Sequence, residues 1–196
     1  TTASKTVVRS DFLAPKVVFI DGLPGCGKTL FSSLLSSFNR VEKITYAYET
    51  EHICALKYLG KISTDAAEIM VRIQTDLLIY DMMMSRNVNC RPKDLSSVFN
   101  YHNPAKYMNR MFQEGDFVIP QRIKEENPIL SLTVHNLLCI AEPIFQTLRE
   151  RVVFIEIVRH PLYMLVQQAL NNEKMIFNAR DFTIYFEHNG KELPWY

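Results

Sequence analysis

The sequence predicts an α/β fold: a doubly wound parallel sheet with helices on both faces, followed by a C-terminal β-hairpin. Three observations predict it. Residues 16–20, Lys-Val-Val-Phe-Ile, form a short β-branched and aromatic run that leads through a glycine-rich turn into an amphipathic segment. Residues 129–135 and 152–158 are almost continuously apolar and are separated by a helical pattern over 140–150, the signature of parallel strands buried on both faces. Near the C-terminus, two strand-like runs, 181–187 and 191–196, flank His188-Asn189-Gly190, an Asn-Gly hairpin signal. With 196 residues and 47% hydrophobic content the chain can bury one core, and it reads as one domain over 1–196.

Taken in order, 29–38 keeps apolar residues at helical spacing, and 43–49, Lys-Ile-Thr-Tyr-Ala-Tyr-Glu, suits a second strand. Residues 52–59 read as a short helix ended by Gly60. The longest helix opens at Ser63-Thr64-Asp65, with Glu68 completing a capping signal, and runs to Met84; Ile69, Ile73, Leu77 or Leu78, and Tyr80 make its expected apolar stripe, with Met82, Met83 and Met84 as core filler. From 85 to 127 the pattern is irregular, broken by Asn87, Asn89, Arg91-Pro92, Asn103-Pro104, Gly115 and Asn127-Pro128, with one helix expected over 105–113. This stretch is the expected substrate-side insertion. A final helix is expected over 162–170. The second hairpin strand runs to the last residue, from which the native chain is expected to continue.

The turn after the first strand carries the chemistry. Gly22-Leu23-Pro24-Gly25-Cys26-Gly27-Lys28-Thr29 satisfies the phosphate-loop pattern G-x-x-x-x-G-K-[ST], between a strand and a helix as that pattern requires. The glycines let backbone N–H groups converge on phosphate oxygens, Lys28 supplies a point charge, and the helix beginning there, with Leu30 in its first turn, presents its positive end. A phosphorylated nucleotide is the ligand this predicts.

Composition narrows the partners. Lysine and arginine (22) nearly balance aspartate and glutamate (21), so no cationic field draws the protein to nucleic acid or acidic membranes, and a small-molecule partner is expected. Cys26, Cys54, Cys90 and Cys139 are too widely spaced for a metal-thiolate site. No stretch has the form of a signal peptide, a membrane span or an Asn-x-Ser/Thr acceptor, which favours a reducing, cytoplasmic setting. The oligomeric state is not legible.

A second constellation lies beyond the 152–158 strand, where Arg159-His160-Pro161 precedes a helix. A buried strand thereby delivers an always-charged bidentate donor to the edge where open parallel sheets bind ligands, suiting a second phosphate. On these residues and the phosphate loop the chain resembles the sulfotransferases, whose sheet is of the same type as that of the P-loop NTPases. The resemblance implies that Arg159, with the residue eight further on, holds the 3′-phosphate of 3′-phosphoadenosine-5′-phosphosulfate; that residue here is Gln167 where the family has serine. The family's first loop reads Pro-[Lys/Arg]-Ser-Gly-Thr-Thr, whereas this chain has Pro24-Gly25-Cys26-Gly27-Lys28-Thr29, with lysine where kinases place it. The resemblance also implies that Thr133, His135 and Asn136 face the acceptor.

In that reading an acceptor hydroxyl or amine attacks the sulfonate, Lys28 and the loop amides stabilise the departing phosphate, and His135 is the first choice of base, with Glu49 second. The alternative is an ATP-dependent kinase or NTPase in which Thr29 ligates Mg²⁺ and Asp21 or Glu156 serves as the metal-side acid; because 157 and 158 continue the apolar run, Glu156 is expected inside the strand. A non-catalytic nucleotide-binding module is the third reading.

Overall fold

The computed structural model describes residues 5–176 and 182–195. Thr1 to Ser4, Asp181 and Tyr196, for which a polar start and hairpin ends were expected, lie outside the described residues.

Four strands form a parallel sheet: β1 (Lys16–Asp21), β2 (Thr45–Tyr46), β3 (Ile129–Thr133) and β4 (Val152–Glu156), in the order β2-β3-β1-β4. Register assigns the faces, because paired residues in a parallel ladder point the same way. Val17 and Phe19 pair with Leu130 and Leu132, and these four are fully buried in the main core with Val71, Ile79 and Met83 of α3 (Thr64–Met84) and Ile144 and Leu148 of α6 (Glu142–Leu148). Phe19 stacks on Phe154 of β4 at 6.0 Å. Burying one such side chain contributes roughly 1.5–3 kcal/mol, so this layer dominates the fold energetically.

The other face is more polar. Val18 and Ile20 pair with Ser131 and Thr133, and the Thr133 hydroxyl lies 3.0 Å from that of Ser32 in α1 (Lys28–Leu35). Helices thus flank the sheet on both faces. The C-terminal strands β5 (Tyr185–His188) and β6 (Lys191–Pro194) form the antiparallel hairpin, and Asn189 and Gly190 both take positive φ, as a two-residue turn of this hand demands.

Several expectations require correction. The second strand is only Thr45–Tyr46, because α2 (Tyr48–Tyr58) begins four residues earlier than its apolar pattern indicated; Glu49 therefore sits in the first turn of a helix and is exposed. In α3 the buried stripe is Ala67, Val71, Thr75, Ile79, Met82 and Met83, whereas Ile73 and Leu77 are each 47% exposed. The stripe was misphased because Thr75 and Asp76 occupy core positions. Asp76 earns its burial through four bonds: Oδ1 accepts from the N–H groups of Leu13 and Ala14, and Oδ2 from Arg9. β4 ends at Glu156 and not at residue 158.

The irregular stretch is more ordered than expected. Besides α4 (Pro104–Met111) it holds α5 (Ile119–Glu126), which burying Ile119 and Ile123 fixes to the core. Glu42, fully buried just before β2, anchors α4: its carboxylate accepts from both Arg110 terminal nitrogens (2.9 and 3.1 Å), Lys106 (2.9 Å) and the Tyr107 hydroxyl (2.5 Å). Burial alone would raise the Glu42 carboxyl; the Arg110 hydrogen bonds and charge, Lys106 and Tyr107 outweigh it and hold the group below the usual carboxylate range.

Candidate functional site

The strand order fixes where a ligand crevice falls. From β1 the chain moves to β2 and β3 on one side and then crosses to β4 on the other, so the direction of winding switches at the carboxyl end of β1. The glycine-rich loop of residues 22–27 occupies that point, between β1 and α1.

Gly22, Gly25 and Gly27 take φ of 135°, 87° and 113°, conformations that L side chains rarely adopt. A Cβ at Gly22 would lie 2.4 Å from the Ile157 carbonyl oxygen and 2.9 Å from Cys26 Sγ; one at Gly25 would strike the Gln167 side chain. Cys26 is nearly buried under the loop, Leu23 and Leu30 project outward, and Thr29 is half-buried. α1 opens at Lys28, so the N–H groups of Lys28, Thr29 and Leu30 have no intrahelical carbonyl one turn back.

Lys28 is 5% exposed, and its ammonium donates to the Gly22 carbonyl, folded across its own loop. Burial lowers its pKa from the ordinary lysine value, against the opposing pull of Cys26, Asp21, Glu51 and Glu156. Three of these are carboxylates from three different elements, which makes Lys28 the electrostatic centre of the sheet edge.

Asp21 and Glu156 are the nearest acids in sequence to the loop and to Arg159. Asp21 is fully buried; its Oδ2 accepts from the N–H groups of Leu137 and Leu138 at 2.7 Å each, while Oδ1 lacks a partner among the described residues. Glu156 pairs with it on the last rung of the β1–β4 ladder. Loss of solvent at the Glu156 carboxyl, then the Asp21 charge and a hydrogen bond to Asp21, raise its pKa to about 7, with Lys28 opposing.

The helix α7 (Pro161–Met175) grips the loop's crest from the far side. Gln168 and Asn171 donate to the Pro24 carbonyl at 2.8 and 3.3 Å, Gln167 donates to Asn171 at 3.1 Å, and Arg159 donates to the Gly25 carbonyl at 3.3 Å while lying over the Tyr163 ring. His160 caps this helix: its Nδ1 accepts from the Leu162 N–H, and Pro161 takes the first helical position. Arg159 and Gln167, expected to hold a 3′-phosphate, both lie against the glycine loop, Arg159 through the Gly25 carbonyl and Gln167 by packing beside Gly25.

His135 lies just past β3, beyond the side of β1 opposite β4. Glu51 Oε1 accepts from both its backbone N–H and its ring Nδ1, each at 3.0 Å. A carboxylate only accepts, so Nδ1 carries the hydrogen, and in the neutral ring the lone pair is on Nε2. Glu49, the second choice of base, lies two residues from Glu51 but is exposed. Glu51 escaped the sequence reading because the strand was run through to Glu49, hiding the helix that aims it. Gln167, Gln168, Asn171 and Asn172 are a legible signal, two pairs of amides one helical turn apart on α7.

No helix among the described residues is long and apolar enough to cross a membrane, and no group of three or more His, Cys, Asp or Glu among them is arranged to hold a metal ion. No protein-family model, curated protein or solved structure gives a significant match to this chain.

Proposed function

We propose that the chain is a nucleotide-dependent transferase of the P-loop type, moving a sulfonyl group from 3′-phosphoadenosine-5′-phosphosulfate to a hydroxyl or amine acceptor. One observation carries this reading: Lys28, Arg159 and His135, drawn from three separated segments, converge on one sheet edge with the glycine loop between them. The positive-φ glycines leave no Cβ to obstruct a phosphate, and the opening turn of α1 offers N–H donors, so these residues fit the group.

Gly22 to Thr29 and Lys28 would hold the 5′-phosphosulfate, and Arg159 and Gln167 the 3′-phosphate. The bound nucleotide supplies an activated sulfonate. His135 Nε2 would take the acceptor's proton as the acceptor attacks sulfur, and Lys28 and the loop amides would neutralise the charge left on the departing phosphate. Lys28 and Arg159 each donate to a loop carbonyl, those of Gly22 and Gly25, and each has further N–H groups with which to meet a phosphate.

A second reading, an ATP-dependent kinase or NTPase with Mg²⁺, is favoured by the Asp21–Glu156 pair. Two adjacent carboxylates beside Lys28 and Thr29 suit a hydrated divalent cation more than a bare sulfonate. A thermal-shift titration separates the two: 3′-phosphoadenosine-5′-phosphate should stabilise the protein without Mg²⁺. Stabilisation by ATP with Mg²⁺, and none by the bisphosphate, overturns sulfonyl transfer.

A further inference from the structure

The amino-terminal edge of the sheet, at the end opposite the glycine loop, holds a pair of like charges. Arg151 immediately precedes β4, Phe12 precedes β1, and Arg72 stands in α3 next to the fully buried Val71. With β1 six residues long, this edge is roughly 20 Å from the loop. Phe12 is the point of convergence: the guanidinium carbon of Arg151 lies 3.2 Å from its ring centroid and that of Arg72 3.9 Å. Contact at 3.2 Å puts Arg151 squarely over one face, so a second guanidinium on that face would overlap it. The two arginines therefore sandwich the ring, with their guanidinium carbons about 7 Å apart.

No carboxylate pairs with either of them among the described residues. Arg151 donates to backbone carbonyls, those of Ala14 and Thr147, both at 3.2 Å. The Arg72 side chain makes no hydrogen bond among the described residues, and its Nε is shut off from solvent without an acceptor. The acids at this edge are placed otherwise. Asp76 accepts from Arg9, Leu13 and Ala14, while Asp11 and Glu150 are exposed. Burial lowers the Arg151 pKa from the ordinary arginine value, the Asp76 charge opposes this, and the Arg72 charge adds to the lowering. Each guanidinium keeps unspent N–H groups in a fork suited to oxyanions, and Phe12 between them is 41% exposed, so the rim of the sandwich is open to a ligand. Charge-assisted hydrogen bonds of about 2.8 Å from either side of one oxyanion match the separation of the two forks.

We propose that Arg72 and Arg151, held apart by Phe12, bind a doubly charged tetrahedral oxyanion, phosphate or sulfate, either free or as the monoester of a small molecule. The anion sits at the edge of the ring, bridges the two forks and neutralises both. This site is separate from the glycine loop and independent of the transferase reading.

The test follows the arginine Nε–H signals of the full wild-type chain by nitrogen-15 NMR while inorganic phosphate is titrated at constant ionic strength, with chloride as the control. The Arg72 signal, assigned by its loss in Arg72→Gln, should shift saturably with phosphate and with sulfate but not with chloride. Because phosphate also suits the glycine loop, calorimetry uses Lys28→Ala as the parent. Adding Arg72→Gln, which removes a side chain without hydrogen bonds of its own, should weaken phosphate about tenfold. An Arg72 signal indifferent to phosphate, or equal phosphate affinity with and without Arg72→Gln, overturns the site. Glycerol 3-phosphate identifies the source: tighter binding than inorganic phosphate assigns the site to a monoester, equal or weaker binding assigns it to the free ion, and both outcomes support it.

Discussion

Asp21 and Glu156 meet side by side on the last rung of the β1–β4 ladder, and the charges of both act on Lys28. Glu156 takes up its proton near pH 7 in the folded chain against an ordinary value of 4.5, so between these values the native state binds more protons than the unfolded one. Stability therefore falls as pH rises through the window from about 4.5 to 7 and levels off above it. Glu156→Gln should flatten that slope in urea titrations run at several pH values; an unchanged slope would falsify the raised Glu156 value.

The same pair predicts the pH dependence of ligand binding. Above about pH 7 Glu156 adds a second negative charge beside the phosphate loop, so the affinity for 3′-phosphoadenosine-5′-phosphate should decline as pH rises from 6 to 8. In Glu156→Gln, calorimetry should find that decline reduced.

Arg159 spends its charge on the Gly25 carbonyl and the Tyr163 ring, both at the surface. Arg159→Ala should leave thermal stability almost unchanged, because such exposed contacts contribute little. It should weaken a nucleotide carrying a 3′-phosphate by about 1.5–3 kcal/mol, the loss of a charged hydrogen bond, with a much smaller effect on ADP. Equal losses for the two nucleotides would remove Arg159 from the 3′-phosphate site.

Gly22 is constrained from two sides, by a φ of 135° and by the Ile157 carbonyl 2.4 Å from where a Cβ would stand. Gly22→Ala should cost more than about 1 kcal/mol and lower the melting temperature by several degrees, and it should impair nucleotide binding by displacing the loop from β4. Gly27, whose Cβ position is open, is strained by conformation alone, and Gly27→Ala should cost less.

The Glu42 network carries the largest stability prediction. Arg110 is 4% exposed and Glu42 is fully buried, so Arg110→Ala strands a carboxylate that Lys106 and Tyr107 only partly compensate. The expected loss is about 3–5 kcal/mol, read as a lower urea midpoint. A loss below 1 kcal/mol would show that water reaches Glu42 when the guanidinium is removed.

What the sequence determined by itself is the local grammar of the site. The α/β class, the strand–loop–helix around residues 22–29, the strands beginning at Ile129 and Val152, and the Asn189-Gly190 hairpin turn all rest on short-range causes: alternation or continuity of apolar residues, and glycines where φ must be positive. The tertiary structure decided which polar groups meet. The α3 stripe was misread because Thr75 and Asp76 are buried by partners some sixty residues away or by their own helix, and no periodicity encodes such a partner. Glu51 reaching His135, Asp21 facing Glu156 and α7 clasping the loop each span 80 residues or more of chain. Those meetings follow from parallel pairing in the order β2-β3-β1-β4, which brings distant strand ends to one edge beside the glycine loop.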